Sequence, residues 1–257
     1  DGSGDSAREL VDGVRAAGLD PWIVTWGFDF IAQAAAPWAG VDPTLALRTC
    51  LADGTLIKPH VPIAATSRSM LVSAGSRPVL MTAESHSDHP AGRWAYVMTM
   101  RCSPGTDPVR GDVRLAELGE SAPTGDVVVW DWRAGTALPM GADGHWSASL
   151  VQEEWTFHVV APVLAGGIAV IGDVSKFVPA GDARIVVKGH GDGNSDAMRV
   201  VVKGAGERVT ITGWARRAPS RTDGTGAAVD HDAVTGVWST VVDVPERGWT
   251  SIDLRPG

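Results

Sequence analysis

Apolar and polar positions change rhythm once along the chain, near residue 76. Ahead of that point, Leu10, Val11, Val14 and Ala17 recur at helical spacing between a Ser6–Glu9 capping box and Gly18. WIVTW (22–26) predicts a short buried strand, and a second helical stretch over 30–36 runs until Pro37 interrupts it. Residues 43–51 predict another short helix, which Asp53-Gly54 breaks; 55–66, with two prolines, is extended. Helix, glycine turn and buried strand make half of an α/β repeat.

Beyond Pro78 the period shortens to two. Strands are predicted at 79–83, 94–101, 126–133, 146–150, 155–160 and 168–171, with turn residues at 89–92, 103–105, 141–144 and 166–167. RIVVKG (184–189) and RVVVKG (199–204) echo one another across an Asp-rich loop and predict a hairpin. Three more strands follow at 209–214, 238–242 and 249–254, and 217–226 has the composition of a flexible loop. The expected fold is mainly β: an antiparallel β-sandwich over 76–257, preceded by a short α/β segment over 1–75. Residues 183–257 form either a second small sheet or an extension of the first.

Composition narrows the functional classes. A net charge of −8 and scattered basic residues argue against a nucleic-acid partner, whose phosphates need clustered Lys and Arg. No apolar run approaches ~18 residues, so no membrane partner is expected. The start of the chain shows no signal peptide, and localisation stays open. The 257 residues hold 11 Trp against 1 Tyr and 4 Phe. Tryptophan faces suit sugar rings, but most of these positions fit a β-core. Trp130 and Trp155 share strand faces with aliphatic residues and are expected there. Cys50 and Cys102 make neither a disulfide framework nor a metal-ligand pattern. No cofactor is expected.

Four segments carry a family resemblance: LADGTLIKPHVPI (51–63) with Cys50 ahead of it, VVWDWRAG (128–135), EEWTFHVVAPV (153–163) and IGDVSKF (171–177). In this order they resemble the C-terminal part of α-galactosidase and raffinose-synthase-like glycoside hydrolases, over roughly residues 44–180. The resemblance implies that 1–75 is the end of a (β/α)₈ barrel and that the β-domain is accessory to it. It implies carbohydrate as partner, with α-linked galactosides as substrates of the intact enzyme. Such enzymes use two Asp carboxylates on barrel strands, about 5 Å apart for a retaining mechanism. No Lys-x-Asp strand occurs in residues 1–60, and a barrel needs ~200 residues or more. The catalytic residues are therefore not identified. The alternative is a non-catalytic β-sandwich that binds glycans or gives structural support.

Several single residues carry candidate chemistry. Asp29, past the strand 22–26, is the candidate substrate-binding carboxylate, with Trp26 as sugar platform; Asp29 equally suits the cap of the following helix. An unpaired strand edge at 22–26 predicts self-association or early amide exchange over 19–31. Asp131 is expected to end a strand and hold a loop N–H or Arg133. Glu153 and Glu154, adjacent on a strand, point to opposite faces and cannot flank one bond; Glu154 and His158 fit the polar side of a strand. His86, Asp88 and His89 fit a solvated loop, and Asp192, Asn194 and Asp196 a turn rather than a calcium site.

Overall fold

Alternating side chains decide which strands bury one face and which bury two. The computed structural model describes residues 48–70, 79–101, 105–151, 154–164, 166–189, 197–223 and 228–257. The first half runs β1 (Ala64–Ala65), helix α1 (Ser67–Met70), β2 (Leu80–His89), β3 (Gly92–Arg101) and β4 (Val109–Arg114). Two 3₁₀ turns (Leu115–Glu117, Gly119–Ser121) lead to β5 (Val127–Asp131), β6 (Thr136–Met140), β7 (His145–Leu150) and β8 (Trp155–Pro162). There follow β9 (Ile168–Gly172), β10 (Ile185–Gly189), β11 (Met198–Lys203) and β12 (Arg208–Ala215). The short pieces β13 (Ser220–Arg221) and β14 (Asp230–His231) precede β15 (Val237–Asp243) and β16 (Trp249–Arg255).

The described chain is mainly β. One sheet has six strands in the order β1-β2-β3-β8-β5-β6, and β4 pairs with β7 in a second. Two four-stranded sheets, β10-β11-β16-β13 and β14-β15-β12-β9, complete the fold. The named strand pairs across the six-stranded sheet are antiparallel.

Period two explains the two cores. Val127 and Val129 of β5, with Val97 and Val160, face Val113 of β4 and Trp146 of β7. Val128 and Trp130, with Trp94, Tyr96 and Val159, face the opposite way and join a larger core made with the four-stranded sheets. A strand covered on both faces reads as an unbroken apolar run, as in IAVIG of β9, which ends its sheet and is buried throughout. Trp94 is fully buried and its Nε1 donates to the Val170 carbonyl at 2.6 Å, tying the six-stranded sheet to β9. Gly213 lies opposite Trp238 in the β12–β15 register; a Cβ there would overlap the Trp238 indole and the Ala169 carbonyl.

Several expectations meet this frame. The RIVVKG/RVVVKG hairpin is β10 against β11, from Ile185↔Val202 to Gly189↔Met198. The HSDH stretch is not a loop. β2 pairs with β3 as far as His89↔Gly92, leaving Pro90 and Ala91 as the turn, and His86 and His89 are buried. β4 and β6 carry weak apolar signals and are found only in the structure. In the predicted loop, Ser220 and Arg221 pair with β16, and Arg221 meets Asp223 at 2.7 Å. The helices before residue 48, the strand 22–26, the segment 19–31, Cys102, Glu153 and 192–196 lie outside the described residues. No helix among the described residues is long and apolar enough to cross a membrane.

Candidate functional site: a junction that grips residues 48–57

The loop IGDVSKFVP leaves β9 through a tight reversal. Gly172 takes a φ of +116°, which most side chains do not tolerate, and a Cβ there would collide with the Pro179 carbonyl. Asp173 N–H donates back to that carbonyl at 3.0 Å, and Lys176 N–H donates to the Asp173 carbonyl at 3.0 Å. The Asp173 carboxylate accepts from the Ser175 amide and hydroxyl at 3.1 and 2.5 Å. This turn delivers Asp173 and Lys176, both buried, to the ground beneath residues 48–57.

Arg184 stands at the centre of that ground, 2% exposed. Its Nε lies 3.0 Å from Asp173 Oδ2, an ion-pair contact without hydrogen-bond alignment. Its other nitrogens donate to the Lys203 carbonyl at 2.6 Å and to Glu207 Oε2 at 2.5 Å. Burial pushes the Glu207 carboxyl up, but the Arg184 hydrogen bond and the Ala52 amide outweigh it and hold it below its ordinary value. Burial, followed by the Arg184 charge, pulls Lys176 down. Two cations and two carboxylates balance here, as a buried charge requires.

The groups left over point at the incoming chain. Lys176 Nζ donates to the Cys50 carbonyl at 2.6 Å, and Glu207 Oε1 accepts from Ala52 N–H at 3.1 Å. Phe177 N–H donates to the Arg48 carbonyl at 3.0 Å. Residues 48 and 49 are helical; the chain then turns at Asp53-Gly54 and bridges Cys50 to Leu56. Asp53 Oδ1 accepts from Thr55 N–H at 2.8 Å, the main cause of its lowered pKa. Ile57 is buried over Gly181, where a Cβ would stand 2.5 Å from its Cγ2.

Aromatic rings close the other side. The Arg48 guanidinium lies 4.8 Å over Trp132, whose ring stacks against Phe177 at 4.8 Å and meets Phe157 edge-on at 6.5 Å. Trp132 Nε1 donates to the Lys176 carbonyl at 3.0 Å. All four segments that carry the family resemblance therefore meet at one place: Cys50–Gly54, Trp132, Phe157, and Asp173 with Lys176 and Phe177.

The other candidate residues fall elsewhere or in supporting roles. Asp131 Oδ1 accepts from the Arg133 and Ala134 amides, both at 2.9 Å, as a strand-end cap. Glu154 caps the Val151 amide at 2.8 Å. His158 departs from the polar-side reading: it is buried against Trp146 at 5.2 Å, because β7 covers that face. Trp155 departs from the core reading; it is half-buried with the Arg133 guanidinium 4.9 Å over its ring. His86 spends Nδ1 on Ser121 at 3.0 Å, and His89 spends Nε2 on the Ala180 carbonyl at 2.7 Å. Burial is the leading cause that holds both imidazoles below their usual pKa. Among the described residues no group of three or more His, Cys, Asp or Glu is arranged to hold a metal ion. Trp26 and Asp29 lie outside the described residues.

A scan against protein-family models matched none, and a search of curated proteins gave no match.

Proposed function

We propose that residues 48–257 are the accessory β-module of a glycoside hydrolase acting on α-linked galactosides, and that the module holds the segment leaving the catalytic part in one orientation. The observation that supports this is the convergence at the junction. Segments far apart in sequence, alike in family resemblance, meet on residues 48–57 through a buried four-charge network and an Arg–Trp–Phe stack. A positioning role follows from rigidity: active-site carboxylates must keep a separation of about 5 Å, and misplacement by about 1 Å costs catalysis heavily. The partner of the intact protein is then a carbohydrate.

The product of the complete reading frame, assayed on aryl α-galactosides beside its Arg184→Met variant, tests both halves. Turnover in the parent and a lower kcat in the variant are expected. No turnover in the parent overturns the glycosidase assignment, and an unchanged kcat overturns the positioning role.

A further inference from the structure

Residues 60–66, which include β1, run along the edge of β2. Thr66 N–H donates to the Thr82 carbonyl at 2.9 Å, Ser85 Oγ to the Val61 carbonyl at 2.6 Å, and His60 N–H to the His86 carbonyl at 2.8 Å. The next contact is made by a side chain: Asp88 N–H donates to His60 Nδ1 at 2.9 Å. An imidazole nitrogen that accepts carries no proton, so the His60 proton sits on Nε2, 3.3 Å from Asp182 Oδ2. His89 makes a parallel commitment. A carbonyl only accepts, so the 2.7 Å contact with Ala180 places the His89 proton on Nε2 as well. Its Nδ1 is buried and has no partner among the described residues. His60 and His89 thus join β2 to one short loop, 180–182, whose Gly181 lies under Ile57.

Both arrangements require a neutral ring. Charging His60 sets a second N–H against the Asp88 amide, and charging His89 sets one where no acceptor stands. His86 lies between them, with Nδ1 on Ser121 Oγ at 3.0 Å and Nε2 3.6 Å from Asp88 Oδ2. At His86 and His89 the charged neighbours do not cancel the cost of burial. Asp88 favours a charge on both rings, Asp182 on His89 and Glu120 on His86. Against them stand Arg93, which takes Asp88 at 2.6 Å and the Glu120 carbonyl, and His60, which opposes a charge on either ring. Lys203 Nζ, donating to the Asp182 carbonyl at 2.7 Å, adds positive charge to the loop. Burial leads, and both rings are held below their ordinary 6.5. A ring held low contributes stability that is complete above 6.5 and is lost as pH falls towards the folded value, because the released ring takes up a proton that the held ring refuses.

We propose that His60, His86 and His89 form a proton-operated latch, which holds residues 58–63 to β2 and to the 180–182 loop while the rings are neutral and frees them when the rings are charged. The latch goes beyond the accessory role and rests on no carbohydrate chemistry; it regulates the segment that leads away from the junction. The test is hydrogen exchange of the full chain at about pH 7.5 and about pH 5.5, read as protection relative to each amide's intrinsic rate. Protection of the His60 and Asp88 amides should fall at least about tenfold on acidification, while amides of β12 and β15 stay within about twofold. His60→Asn keeps an acceptor for the Asp88 amide and His89→Gln keeps a donor for the Ala180 carbonyl, and neither replacement titrates. Each alone should shrink the fall and both together should remove most of it, whereas His145→Gln, exposed on β7, should leave it whole. Glu84, on the same face of β2 as His86, gains stability over the same acidification, so Glu84→Gln should make the fall larger. Unchanged protection in the parent, a loss shared equally by β12 and β15, or a full fall in both single histidine variants would each overturn the latch. Turnover is not read, so the latch and the accessory-module reading fail separately.

Discussion

Replacing Arg184 by Met removes the guanidinium and keeps most of the apolar stem. Asp173 and Glu207 then lose the group at 3.0 and 2.5 Å, and the Lys203 carbonyl loses its 2.6 Å donor. Breaking one side of a buried ion pair costs about 3–5 kcal/mol, because the remaining charge stays desolvated. Glu207 keeps some contact with water, with 18% of its side chain exposed, so the lower end, about 3 kcal/mol, is expected. Against a typical total of about 5–15 kcal/mol this is a large loss. Urea unfolding at pH 7 reads it as a lower midpoint at constant slope. Adding Glu207→Gln to Arg184→Met should recover part of the loss, since one carboxylate, Asp173, then remains against one cation, Lys176. A loss below about 1 kcal/mol in the single variant would refute the network's role. The pH dependence follows in sign. Glu207 is held below its ordinary 4.5, so its contribution is present above that value and fades as pH falls through the lower folded pKa.

Further outcomes follow from other sites. Burial raises Glu84 to about 7 from 4.5, so the parent loses stability as pH rises between these values and stays penalised above them. Glu84→Gln should therefore stabilise the chain at pH 8 by about 1–2 kcal/mol after allowance for solvent around the half-buried group, and the gain should vanish below pH 4.5 in urea titrations. Trp130→Ala should cost about 3–5 kcal/mol, whereas Trp155→Ala should cost clearly less; equal melting shifts would contradict the difference in burial. The chain by itself should not hydrolyse aryl α-galactosides, and turnover abolished by Asp29→Asn would place a working active site in its first part.

Most strand positions were legible because the cores impose their pattern. VVVW of β5, VVAP of β8 and IAVIG of β9 are apolar without interruption since both faces are covered. HWSASL alternates because only one face is. What escaped was polar sequence in strand conformation: VRGDVR of β4 and TALPM of β6 look like turns, and HSDH is recognised as strand only when its partner on β3 is known. The junction escaped for a different reason. Lys176 meets Cys50 across 126 residues and Glu207 meets Ala52 across 155, separations no local pattern encodes. A signal was present, in that Lys176 and Arg184 flank apolar segments and yet carry charge. The motifs that carry the resemblance each contribute residues to this junction, and each also fits ordinary strand and turn chemistry.

Amide exchange at Leu51 and Ile57 tests the central claim most directly. Their N–H groups donate to Thr55 and Thr49 at 2.9 and 2.8 Å, within the segment that the junction holds. If the grip is real, both amides exchange as slowly as those of β5 in the parent, and Lys176→Met accelerates them while leaving β12 and β15 unchanged. Fast exchange at both amides in the parent, or equal protection in the variant, would contradict it.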